Sequence, residues 1–139
     1  MGFDLFAMEQ LILALLAGLA SPVPIVGLFD RVDLTDESPY PAGAQIMFHR
    51  LLPEDQVQRN VLHYAAWIFD LYVDTGRVNA TQKTAAAALF SNALAALIGW
   101  EFSPGRRVRT FALRGQDTTT EGRILRISFG FSLPVYLAG

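Results

Sequence analysis

The chain has no cysteine. Disulfides, thiolate catalysis and thiolate metal centres are therefore excluded by composition alone. Charged residues make up 17% of the chain and hydrophobic residues 52%, a balance that excludes intrinsic disorder. A P-loop, a dinucleotide-binding glycine fingerprint, a nucleophile elbow and an HExxH helix are all missing. The apolar run Leu11 to Ala20 is too short to span a bilayer. Asp4 and Glu9 precede it where a secretory signal needs a basic segment, so it reads as a core helix and no membrane role is expected.

What is present describes one domain, residues 1–139, large enough to bury a core unaided. A mean hydropathy of +0.30 is high for a fully wetted surface and favours an oligomer that hides apolar area in subunit contacts. The net charge is −2, but it is unevenly distributed. Residues 1–74 hold ten acids and three bases, whereas residues 75–139 hold eight bases and three acids. Such a chain has the means to pair its acidic half with a neighbour's basic half, head to tail. The alternative is that the two halves mix in one fold and their charges cancel locally.

Periodicity sets the element order. Leu5, Met8, Ile12, Leu15, Leu16 and Leu19 form one helical stripe, with Ala7, Gln10, Ala14, Ala17 and Gly18 behind it. Apolar cover this wide packs on a sheet or between subunits. Ser21-Pro22-Val23-Pro24 ends the helix, and 30–43 is an acidic, proline-punctuated loop without the calcium-loop spacing of an EF-hand. Residues 44–52 read as a strand, 53–56 as a break at Pro53, and 57–74 as a long second strand. In that strand Trp67, Phe69, Leu71 and Val73 face one way, and Ile68, Asp70, Tyr72 and Asp74 the other. Asn79 with Gln82 announces a capping box, and the helix runs to Ile98 before Gly99. A loop over 101–107, a strand over 108–113, a flexible loop over 115–122 and a last strand over 123–137 complete the chain. Pro134 requires an edge or a bulge. The expected fold is α+β, a mixed or antiparallel sheet of about four strands packed with two helices, in the order α-β-β-α-β-β.

No catalytic, cofactor-binding or metal-ligating set emerges. His49 and His63 fall on adjacent strands without a third ligand, and His63, in the mostly apolar phase of its strand, reads as a satisfied core or interface residue. Asp70 and Asp74 share a strand face, a spacing open to acid–base work, but nothing marks a pocket around them. The strongest polar signal is Arg106, Arg107, Arg109, Arg114, Arg123 and Arg126. The acidic chain lacks the net basicity of a DNA reader, so these arginines suit a partner's carboxylates or a channel lining. The candidate contact set is those six with Asp33, Asp36 and Glu37 from the acidic loop.

An N-terminal helix (Leu11 to Leu19), an acidic loop, a long hairpin around His63 to Val73, an Ala-rich helix (Thr84 to Ile98) and a final strand (Arg123 to Phe129) together resemble the phage tail terminator, or tail completion, proteins. These occur in long-tailed phages and in phage-derived particles such as gene transfer agents and contractile bacteriocins. The resemblance covers nearly the whole chain and rests on element order and length. It implies a virion structural protein assembled in the host cytoplasm, with no enzymatic activity and no cofactor. Its partners would be five further copies in a hexameric ring, the tail-tube protein below and a head–tail connector above. DNA would pass through the lumen unread. Two other readings remain open. One is another connector or tail-tube component. The other is a small oligomeric ligand-binding protein or enzyme with a site near His63, Tyr64 and Asp70.

Overall fold

The computed structural model describes residues 4–28, 30, 34, 37–57, 60–111 and 118–138. In chain order these form α1 (Leu5–Ala17), β1 (Ile25–Val26), β2 (Ala42–Val57), β3 (Asn60–Asp74), α2 (Ala80–Leu97), β4 (Glu101–Ser103), β5 (Arg106–Arg107), β6 (Arg109–Phe111), β7 (Thr118–Glu121) and β8 (Ile124–Ala138). The main sheet runs β1-β2-β3-β8-β6, with β7 also on β8, and β4-β5 is a separate small hairpin. Only β1 pairs in parallel, so the sheet is mixed and the fold is α+β as expected.

Local chemistry starts and stops the helices. Asp4 caps α1 by accepting the Ala7 N–H at 3.0 Å. Asn79 accepts the Gln82 N–H at 2.8 Å and Gln82 accepts the Asn79 N–H at 3.0 Å, which completes the capping box of α2. Past the end of α2, Gly99 takes φ +81°, a left-handed turn that suits glycine.

The four expected strands are all present, and the differences from expectation have physical causes. Pro53 does not break its strand. β2 continues to Val57 through register shifts between Phe48 and Arg50 and between Pro53 and Asp55. Such bulges let a strand pass a residue that has no N–H. Past Gln45, β2 has β3 as its one partner among the described residues, and past Ser132 the same holds for β8. Pro53 and Pro134 both lie in these one-sided stretches. β1 was not foreseen, because two residues between Pro24 and Gly27 carry no periodicity. The 101–107 segment forms the β4-β5 hairpin instead of a loop, and Thr118 to Glu121 of the expected 115–122 loop pair with β8. Residues 112–117 of that region lie outside the described residues.

Both helices lie on one face of the sheet, here called the front. From β3 and β8, Ala65, Trp67, Phe69, Leu71, Phe131 and Leu133 are buried there with Met8, Ile12 and Leu16 of α1 and Leu89, Ala93 and Leu97 of α2. The Trp67 indole N–H donates to the Met8 sulfur at 3.2 Å. Phe69 stacks on Phe129 at 5.1 Å, and Phe90 of α2 meets both rings edge-on.

Glu9 is an exception to the apolar contact between α1 and the sheet. It is buried, and its Oε1 accepts the Leu28 N–H at 2.6 Å, tying α1 to the segment after β1. Gly27 leaves room for that carboxylate, because a Cβ there would stand 1.4 Å from the same oxygen. Replacing Gly27 by alanine therefore displaces Glu9 and leaves buried polar groups unpaired. Gly27→Ala should cost about 1–3 kcal/mol in urea denaturation. An unchanged midpoint would show that the Glu9 contact contributes nothing.

Candidate interaction surface

Strand alternation puts polar residues on the back of the sheet. β3 presents Tyr64, Ala66, Ile68, Asp70, Tyr72 and Asp74 there, and β8 presents Ile124, Arg126, Ser128, Gly130 and Ser132. Among the described residues no helix covers this face, since α1 and α2 both take the front.

Two ion pairs cross it diagonally. Arg126 Nη2 donates to Asp70 Oδ2 at 2.8 Å, with Asp70 fully buried and the Arg126 side chain 42% exposed. Arg123 Nε lies 3.0 Å from Asp74 Oδ1, which also accepts the Gly76 N–H. The hydrogen bond to Asp70 raises the Arg126 pKa above the ordinary guanidinium value, against the opposing effect of burial. Arg126 therefore stays cationic at any pH the fold survives. Asp70 Oδ1, Asp74 Oδ2 and Arg126 Nε are buried without hydrogen-bond partners. Arginines also lie over both tyrosines of this face: Arg109 sits 3.6 Å from the Tyr64 ring centre, and Arg126 5.7 Å from that of Tyr72.

The predicted contact residues thus divide. Arg109, Arg123 and Arg126 gather on or beside the back face, whereas Arg106 and Arg107 lie on the β4-β5 hairpin. There Arg107 pairs with Glu101 at 2.9 Å, both partners well exposed, and donates to the Gly99 carbonyl. Glu37 is exposed, and Arg114, Asp33 and Asp36 lie outside the described residues. Arg123 and Arg126 from the basic half hold carboxylates of the acidic half within one chain, so part of the charge split is neutralised internally. Tyr64 and Asp70 are engaged by different arginines and do not converge. No cluster of three His, Asp or Glu suited to a metal occurs among the described residues, where His49 is exposed and His63 half-buried.

Two features of the front layer were missed or only hinted at by sequence reasoning. The outer side of α1 is largely apolar as well as the inner: Phe6 is 58% and Leu11 49% exposed, beside exposed Ala7, Ala14, Ala17 and Gly18, with the exposed Gln10 among them. The unusual width of the helix's apolar cover was its one signal. The second feature is a cleft of about 500 Å³ between α2 and the front of the sheet. Leu71, Val73, Leu125 and Ile127 form its floor, Ala87 and Phe90 its wall, and the exposed Lys83 stands beside them. Ala86 and Ala87 of the Ala-rich helix line it, but periodicity gives no measure of the space beneath a helix.

The two classes of ion pair separate by burial. Arg126→Ala strands the buried Asp70 carboxylate and should cost about 2–3 kcal/mol. Arg107→Ala should change stability by no more than about 0.5 kcal/mol. Chemical denaturation of both variants checks this, and equal effects would contradict the assignment of Asp70 and Arg126 to a structural pair.

No helix is long and apolar enough to cross a membrane among the described residues. No protein-family model matches the chain, and no curated protein is significantly similar to it.

Proposed function

We propose that this chain is a structural subunit whose ring caps the tail tube of a phage or phage-like particle, stops tube polymerisation and presents the surface for head attachment. The observation that carries the proposal is the outer side of α1. An apolar helix surface belongs in an interior, and the described residues cover only half of this helix: the other half exposes Phe6 and Leu11 among small residues, with Gln10 the polar exception. Covering the other half requires another copy or a close partner.

Further support comes from the order of elements, which retains the helix, long hairpin, Ala-rich helix and final strand of the tail terminator proteins. Past Gln45, β2 has one neighbour among the described residues, and so has β8 past Ser132, and such edges suit contacts with the tube or connector. The chain's work is positional: it needs no catalytic group, and DNA passes through the lumen without a base-reading element. The partners are further copies, the tail-tube protein and the head–tail connector, and the location is the virion.

Light scattering with negative-stain imaging tests this over a range of protein and salt concentrations. A closed ring of about six subunits with a central hole is expected. A particle that remains monomeric at all concentrations, and that is also absent from the ends of assembled tail tubes, would overturn the proposal.

A further inference from the structure

The cleft beside α2 and the exposed side of α1 are complementary in several respects, and they occupy opposite flanks of the same layer. α1 packs beside β1 at one end of the sheet, whereas the cleft lies over β3 and β8 on the far side. A patch and a different, complementary patch on opposite flanks make a heterologous contact, which repeats head to tail and closes into a ring when the rotation allows. We infer that α1 of one subunit docks into the α2 cleft of the next, with Leu11 as the apolar insert. This inference rests on the ring reading and assigns its subunit contact.

Size agrees with the assignment. A cavity of about 150 Å³ suffices for a benzene ring, so a cleft of about 500 Å³ has ample room for the Leu11 isobutyl group. Chemistry agrees as well. The floor is aliphatic, from Leu71, Val73, Leu125 and Ile127, and Leu11 offers it only apolar surface. The small residues beside Leu11 on the helix surface, Ala7 and Ala14, allow the helix to approach closely. Charge fixes the direction of entry. Asp4 is exposed two residues before Phe6, and Lys83 is exposed on the cleft side of α2. Entry of α1 with its N-terminal end toward Lys83 brings these opposite charges together, and the reversed entry does not. The helix N-terminus, which favours a carboxylate, and the Lys83 ammonium act in the same sense there.

The absence of native cysteine permits a clean test. Leu11→Cys and Ala87→Cys lie on exposed helical positions, so both variants should fold, and circular dichroism with a thermal melt verifies it. Oxidation of the double variant at ring-forming concentration should give a ladder of disulfide-linked chains reaching the full ring on a non-reducing gel. Each single variant should stay uncross-linked. In parallel, Leu11→Asp should raise the concentration for half-assembly roughly tenfold or more, without shifting the melt of the dispersed subunit downward. Rings that persist without a ladder would overturn the docking while leaving the ring reading intact. Dimers from Leu11→Cys alone would also overturn it, by showing that α1 meets α1. A wild-type chain that forms no ring, alone or on tail tubes, would remove the ring reading and this contact with it.

Discussion

The register of β3 is the constraint on which the rest of the structure depends. This strand is paired along its length on both sides, from Ala42↔Val73 to Val57↔Asn60 with β2 and from Asn60↔Ala138 to Asp74↔Ile124 with β8. A slip of one residue against its neighbours would exchange the two faces. Asp70 and Asp74 would then enter the core, and Trp67 and Phe69 would leave it. Two independent sets of contacts oppose that slip. On the front, the aromatic cluster of Phe69, Phe90 and Phe129 fixes the strand against β8 and α2. On the back, Asp70 with Arg126 and Asp74 with Arg123 cross the same strand pair and leave no satisfied alternative.

With β3 fixed, the two faces acquire separate tasks. The front closes a core over helices whose inner stripes are complementary to it. The back carries polar residues, of which Asp70, Asp74, Ser128 and Ser132 are buried, and its arginines are already held by carboxylates or tyrosine rings. Guanidinium groups held in place lose little further freedom when a partner arrives. The outer side of α1 is of a different kind: it is apolar, and burying it gives association without any such preparation.

Much of this was legible in the sequence. The stripe of α1, the Asn79–Gln82 capping box and the alternation in β3 and β8 each follow a period that the chain's chemistry enforces. Asp70 and Asp74 were legible as a pair on one strand face, but their partners were not, since a cross-strand ion pair requires the register between segments far apart in the chain. For the same reason the −2 chain could be divided into an acidic and a basic half while the internal pairing of those halves stayed hidden. Pro53 misled because proline reads as a stop unless a bulge and a free edge absorb it. The burial of Glu9 was not legible, because a carboxylate inside an apolar helix carries no local sign of its partner. Its burial depends on Gly27 and the Leu28 N–H, which no local pattern connects to it.

The claim that everything else serves is that the outer side of α1 is covered in the working assembly. Hydroxyl-radical footprinting read by mass spectrometry measures this directly, comparing dispersed subunits with the assembled particle. Phe6 and Leu11 should be readily oxidised in the dispersed chain, as their exposures of 58% and 49% require, and strongly protected after assembly. Equal oxidation of both residues in the two states would contradict the claim and leave α1 an ordinary surface helix.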